Sequence, residues 1–413
     1  VTATQPPCRF CKAPLKHTFA DLGKSPLCET FLEAHQLNQM EAFFPLHVWV
    51  CDRCFLVQLE EYVAPDQIFT SHYGYFSSYS DSWLAHARRY VEMATQRFQL
   101  GPHHHVVELA SNDGYLLQYF VEKGIPVTGI EPSGNVAEAA IRRGVPTIQR
   151  FFGIACADDL AAEGKLADLI IGNNVLAHVP DINDFVAGMK RLLKSGGIIT
   201  MEFPHLQRLM ERNQFDTIYH EHFSYLSFRV VRDIFAHHGL ALFDVEELPT
   251  HGGSLRIYAC HAETPPYAPS PAVAGLLARE EALGFARIEH YLSFTPAIHR
   301  VKRDLLRFLI NAREEGRSVI AYGAPGKGNT LLNYCGIRTD FLDYAVDRSR
   351  FKHGKFTPGT HIPIFPVEKV AETRPDCLLI LPWNLRDEIT EQMAYIREWG
   401  GKFAVPIPQL EVF

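Results

Sequence analysis

The sequence predicts an α/β protein: a small cysteine-held module at the N-terminus, followed by two units built on parallel sheets. Three observations carry this. Two Cys-x-x-Cys pairs fall at residues 8–11 and 51–54, short β-like runs alternate with helical ones between 106 and 259, and the same alternation returns after 316. Alternation of that kind puts helices on both faces of a parallel sheet.

The N-terminal stretch has β-like runs at 47–51 and 56–59 and is too short to rely on an apolar core alone. Cys8 and Cys11 offer two thiolates to one edge of a tetrahedron, and Cys51 and Cys54 offer two more. Together they complete a four-thiolate zinc shell with no open position, so the metal expected there is structural. A redox pair and chance spacing are the competing readings. The total of nine cysteines is odd, and Cys28, Cys156, Cys260, Cys335 and Cys377 stand alone in mostly apolar surroundings, which argues against a disulfide framework.

A helix is expected from Ser80 onward, because Trp83, Ala87, Val91, Ala94 and Phe98 recur at helical spacing behind a capping residue. Strands follow at 106–109, 127–130, 169–172 and 198–203, with helices at 114–123, 135–143 and 185–193 between them. The proline-rich run 264–271 suits neither helix interior nor sheet and reads as a linker. Beyond it come a helix over 296–315, stopped at Gly316, and strands at 318–323, 341–346, 377–381 and 402–406. The expected domains are 1–72, 73–265 and 266–413.

Composition excludes several functions. A net charge of -7 provides no cationic field for phosphate backbones, so nucleic acid is not the expected partner. No apolar run reaches the roughly 20 residues that span a bilayer. The first residues lack the basic start and apolar stretch of a secretory signal, so a cytoplasmic location is expected. The oligomeric state stays open.

The run 106–114 reads as a strand entering a tight turn before a helix, where small residues let a cofactor approach the backbone. Glu131 ends the second strand, where a carboxylate can accept from both ribose hydroxyls. These two junctions form the nucleotide-binding half of a Rossmann-like fold, used by NAD and by S-adenosylmethionine alike. The turn lacks the full G-x-G-x-x-G that seats a pyrophosphate. It carries Asn112 and Asp113 instead, which suit a cationic amino-acid moiety. The run 168–180, with Asn173, Asn174 and His178, has the look of the fourth strand and following loop of class I methyltransferases. S-adenosylmethionine is therefore the expected cofactor.

The stretch 215–225 concentrates Tyr219, His220, Glu221, His222 and Tyr225. Spacing alone leaves a metal site, a satisfied core network and catalysis open. The zincin pattern H-E-x-x-H is absent, since His222 follows Glu221 directly. As a catalytic pair, His222 would remove a proton while Glu221 oriented it. His103 to His105 read as a solvated approach to the first strand. The Gly-rich run 323–330 misses the P-loop spacing, yet Lys327 in such a turn suits a diphosphate as well as a plain Rossmann turn.

With these features in this order, the whole chain resembles the nucleotide-sugar 3-C-methyltransferases. The matching stretches are 8–54, 73–78, 108–114, 174–180, 215–223, 251–253, 322–336 and 358–363. The resemblance implies a class I (Rossmann-like) methyltransferase core between the zinc module and a second Rossmann-like α/β domain. The implied substrate is a nucleoside-diphosphate 4-keto sugar, methylated at C3 through an enolate. His222 would be the base, with Tyr73 and Tyr219 near the sugar, Glu221 orienting the base and His178 bordering the pocket. The cofactor would lie against Ser77, Glu108, Ala110, Asn112, Gly114, Glu131, Asn173 and Asn174. The substrate would meet His251, Arg256, Lys327, Asn329, His361, Trp383 and Asn384. Ala110 departs from the family pattern, which has glycine there. O- or N-methylation of a small molecule, and an inactive methyltransferase-like binding protein, are the alternatives.

Overall fold

The structure is a computed structural model and describes residues 5–69 and 74–413. It divides into two compact units, each assembled from separated stretches of chain. The first combines the residues up to Lys16 with Cys51–Leu206 and Phe223–Arg287; the second combines His17–Val50, Gln207–His222 and Ile288–Phe413. Among the described residues no helix is long and apolar enough to cross a membrane.

The first unit is built on a seven-stranded sheet of β1 (Val106–Leu109), β2 (Val127–Ile130), β3 (Thr147–Ile148), β4 (Ala167–Asn173), β5 (Leu193–Pro204), β6 (Leu240–Leu248) and β7 (Ser254–His261). Their spatial order is β3-β2-β1-β4-β5-β7-β6. The strands β1 to β5 pair in parallel, and β7 runs antiparallel to both β5 and β6. Every residue of β1 and β2 is buried, as expected for strands covered on both faces. Val106, Leu169, Ile171 and Ile198 form a core with Tyr90, Phe120 and Tyr258. Strand order reverses between β1 and β4, so the crevice at their C-terminal ends is where this architecture takes its ligand.

The helix expected from Ser80 spans Asp81–Arg97, and the Ser80 hydroxyl accepts from the Trp83 N–H at 3.3 Å. The proline-rich run read as a linker leads into packed structure. Tyr267 stacks on Phe243 with ring centroids 4.8 Å apart, and Pro271 opens the helix Pro271–Leu283. From that helix the buried Glu280 accepts from the Phe228 and Arg229 N–H groups, both at 2.8 Å, and pairs with His205 at 2.7 Å.

The second unit holds a six-stranded sheet in the order Ile364–Phe365, Ala345–Val346, Val319–Tyr322, Cys377–Ile380, Lys402–Val405 and Glu411–Val412. All neighbours are parallel except the last pair. Ile320, Tyr322, Val346, Leu378, Ile380 and Phe403 fill its core. The helix expected over 296–315 is Thr295–Glu314, and Gly326–Cys335 forms the helix after the first strand of this sheet. An antiparallel pair, His17–Ser25 with Phe44–Val50, belongs to the same unit.

Candidate active site

The sulfur atoms of Cys8, Cys11, Cys51 and Cys54 lie within 4.8 Å of one another. The pairs Cys8–Cys54 and Cys11–Cys51 stand 3.6 and 3.5 Å apart. Zinc bonds of about 2.3 Å in a tetrahedron separate sulfurs by about 3.8 Å, so this donor set fits the ion. The two halves have one construction. The N–H of Lys12 donates to Cys8 O and that of Phe55 to Cys51 O, both at 3.0 Å. Lys12 and Phe55 each take a left-handed conformation, with φ of 60° and 62°. Hydrogen bonding among the four sulfurs lowers the Cys8 thiol and raises that of Cys54, as expected of groups that share protons at one point. Arg9, inside the first turn, donates to Pro180 O at 2.5 Å and to Leu59 O, and Asn183 donates to Phe10 O at 3.0 Å. The zinc turn therefore backs the loop that follows β4 and carries His178.

At the C-terminal edge of β1, Ala110, Asn112 and Gly114 all have positive φ, of 53°, 50° and 76°. Ala110 accepts the left-handed conformation that glycine takes more readily. A Cβ on Gly114 would meet Val145 at 2.9 Å, which accounts for glycine there. Glu131 accepts from the Asn112 N–H at 3.0 Å and from the Ser133 N–H at 2.8 Å, so its carboxylate is aimed at this turn. Burial lifts the Glu131 pKa, and those two bonds oppose the rise. Burial likewise holds Glu108 well above the usual carboxylate range, with Tyr115 opposing. Asn112 and Asp113 face the chain itself: Asn112 Oδ1 accepts from the Ser77 N–H at 2.8 Å, and Asp113 binds Ser78 and, at 2.7 Å, Arg143. The other carboxylate oxygen, Asp113 Oδ1, is buried without a hydrogen-bond partner. Asn173 donates to the Tyr115 hydroxyl at 3.4 Å. Asn174, with φ of 54°, pairs through Nδ2 with His251 Nε2 at 3.1 Å, while its Oδ1 is buried without a hydrogen-bond partner.

Arg256 lies in a buried network. Its guanidinium donates to Glu202 at 2.7 Å and to Glu246 at 3.2 Å, and it sits 4.7 Å from the Tyr90 ring. Burial alone would raise the Glu202 pKa, but hydrogen bonding from His86, then Arg256 and Thr250, more than offsets it and holds the acid low. The expected substrate contact is thus a guanidinium paired with two carboxylates through its terminal nitrogens, while its Nε is buried without a hydrogen-bond partner. His178 closes the 3-10 turn Leu176–His178, with the Phe69 ring 6.1 Å away.

In the second unit the segment Gln207–His222 carries the histidine cluster. His222 Nδ1 and the Thr217 carbonyl are 2.8 Å apart; since a carbonyl only accepts, Nδ1 carries a proton. The Tyr219 ring lies 4.1 Å from the His222 ring. Glu221, expected to orient the base, accepts from the Cys28 thiol at 3.8 Å, and the group at the Nδ1 of His222 is the Thr217 backbone carbonyl. His220 points its Nε2 at Pro45 O, 3.2 Å away, and packs edge-on to Phe44 at 5.9 Å. Apart from the four cysteines, no group of three or more metal-ligating side chains gathers among the described residues.

The first turn of Gly326–Cys335 holds the cluster in place. Thr330 donates to Ile218 O at 3.1 Å, and Asn329 donates to Cys28 O at 2.7 Å. Lys327 donates to Asn384 at 2.7 Å and lies 4.5 Å from the centre of the Trp383 ring, whose N–H donates to Asp216 at 2.7 Å. Burial lifts the Asp216 carboxyl to about 7, with Lys327 opposing. His361 is pinned by Glu41 at 2.9 Å. Tyr73 lies outside the described residues. Thr217, Asp216, Cys28 and His86 escaped the sequence reading; only Asp216 and Thr217 had a signal, as members of the stretch 215–225.

Residues 83–245 match a methyltransferase domain family, 8–69 a zinc binding domain family and 249–408 a C-methyltransferase C-terminal domain family. With the strand order and the four-thiolate site, they define a class I, S-adenosylmethionine-dependent methyltransferase with a structural zinc domain. The chain is 36% identical over 405 residues to the C-methyltransferase NovU of Streptomyces niveus, covering 98% of this chain and 96% of that one. It belongs to the C-methyltransferase family. A ubiquinone biosynthesis O-methyltransferase of Rhizobium leguminosarum is 25% identical over 95 residues, 23% of this chain and 38% of the relative. Among solved structures, the magnesium protoporphyrin IX methyltransferase of Synechocystis is 14% identical and covers 43% of this chain and 82% of its own, with a TM-score of 0.34.

Proposed function

We propose that the protein methylates C3 of a nucleoside-diphosphate 4-keto sugar after His222 removes the C3 proton to leave an enolate. The observation that carries this reading is the bond between His222 Nδ1 and Thr217 O, which fixes a proton on Nδ1 and so makes Nε2 the nitrogen that would take the C3 proton. A C4 ketone acidifies the C3 hydrogen, but imidazole is a weak match for it, so donors must meet the enolate oxygen as the proton leaves. Tyr219 beside His222, together with Tyr73, is proposed for that role, with His178 bordering the acceptor and Glu221 shaping the pocket. Oxygen and nitrogen acceptors need much less of this equipment.

S-adenosylmethionine supplies an electrophilic sulfonium methyl. Glu131 would hold its ribose, and Ser77, Glu108, Ala110, Asn112, Gly114, Asn173 and Asn174 would line the remainder. Lys327 would meet the substrate diphosphate with Trp383 and Asn384 at hand, and Asn329, His251 and His361 are further proposed neighbours. Arg256 would act behind this surface by keeping Glu202 charged. The likeness to a C-methyltransferase over nearly the whole chain supports carbon as acceptor, while the sugar rests on the residue chemistry and the motif resemblance.

The test is incubation with labelled cofactor and a panel of 4-keto nucleotide sugars, read by product mass and by the carbon that gains methyl. Methyl at C3 is expected; methyl on oxygen would overturn the reading.

A further inference from the structure

The buried Asn174 Oδ1 is an acceptor without a donor, at the edge where the cofactor binds. Burying an unpaired carbonyl is costly, and a ligand donor relieves that cost. Which face of the carboxamide looks outward is decided by its other end. Asn174 Nδ2 lies 3.1 Å from His251 Nε2, so a lone pair on that nitrogen turns the NH2 inward and the oxygen outward. His251 is itself held. It sits in the turn Thr250–Gly252 with φ of 52°, and Trp83 packs edge-on against its ring at 5.1 Å.

Behind both lies Glu202. Its backbone carbonyl accepts from the Asn174 N–H at 2.7 Å, and its carboxylate accepts from the Thr250 hydroxyl at 2.9 Å. One residue of β5 therefore registers the asparagine and the turn that carries its histidine. Asn174 follows β4, across β1 from the Glu131 end of β2. With ribose at Glu131, the other side of β1 is left for the methionine arm. That arm carries an α-ammonium; on the intervening turn Asn112 Oδ1 is taken by the Ser77 N–H and Asp113 Oδ2 by Ser78 and Arg143.

We propose that His251 is a positioning residue that orients the Asn174 carboxamide so that Oδ1 accepts from the α-ammonium of S-adenosylmethionine. The inference rests on the cofactor class and is independent of the sugar acceptor.

Calorimetry of the full-length protein with S-adenosylhomocysteine and with 5'-methylthioadenosine, which lacks the amino-acid arm, tests it. Asn174→Leu and His251→Ala should each weaken S-adenosylhomocysteine about tenfold or more, the scale of a lost bond to a charged group, and leave methylthioadenosine unchanged. Asn174→Asp keeps an acceptor outward and should retain affinity. His251→Ala in the Asn174→Leu background should add nothing, because the histidine acts through the asparagine. Asn174→Asp binding as poorly as Asn174→Leu would show a donor facing a carboxylate and overturn the proposal. Wild-type affinity in His251→Ala, or parallel loss of methylthioadenosine, would overturn it as well.

Discussion

Arg9 reaches from the first zinc turn to the Pro180 carbonyl, 2.5 Å away, and so ties the metal to the loop after β4. Deleting that side chain should separate two roles of the module. Arg9→Ala should keep its zinc but speed hydrogen exchange at residues 176–183, with a modest loss of cofactor affinity. Unchanged exchange in those amides would mean the loop holds itself.

Removing the metal should act more broadly. Cys51→Ser breaks the four-thiolate shell, and structural zinc contributes folding energy directly. The variant should lose its zinc, measured by metal analysis, and melt well below the parent. A Cys51→Ser protein of parental melting temperature that lost only turnover would contradict a structural metal.

Glu131 already accepts two backbone N–H groups, and a carboxylate oxygen has lone pairs to spare for a ribose hydroxyl. Glu131→Ala should weaken S-adenosylhomocysteine about tenfold, the scale of one bond to a charged acceptor. Equal calorimetric affinity in the two proteins would remove the residue from the ribose site.

The two histidines make opposite predictions. His222→Asn should abolish both methyl transfer and solvent-deuterium exchange at C3 while leaving cofactor binding intact. His220→Asn should chiefly lower stability, since that ring is packed on Phe44 and bonded to Pro45. Exchange that survives in the first variant and vanishes in the second would move the base to His220.

Burial raises Asp216 to about 7, above the ordinary carboxylate value near 4. The folded state then holds this proton more tightly than the unfolded chain, so stability falls as pH rises from about 4 to about 7 and levels off above. At pH 8 Asp216→Asn should recover stability relative to the parent, by a few kcal/mol at most, and flatten that slope. Denaturant titrations between pH 5 and 8 that give identical slopes for both proteins would refute it.

Much of this was legible in the sequence because it is local. The cysteine pairs, the turn at 106–114, Glu131 after the second strand and the cluster at 219–222 are each written in a few adjacent residues. What escaped is made by meetings between distant ones. Arg256 reads as a substrate contact, and nothing in the sequence shows that β5 brings Glu202 against it. Thr217 offers only a carbonyl, which no side-chain pattern reveals, and Cys28 meets Glu221 across 193 residues. The proline run at 264–271 carried the right local chemistry, yet the helix beyond it packs through Glu280 into the preceding unit.

The paired zinc turns sit where the chain leaves one unit at Lys16 and returns to it at Cys51. The ion thus knots the neck of a loop of about 40 residues, and closing such a loop in a disordered chain costs on the order of 4 kcal/mol on the crosslink scale. Once metal holds the neck, the strand pair His17–Ser25 and Phe44–Val50 starts its search for partners with both roots already together. Zinc uptake is therefore best viewed as an early assembly step, and metal starvation during synthesis should leave protein that later zinc rescues slowly.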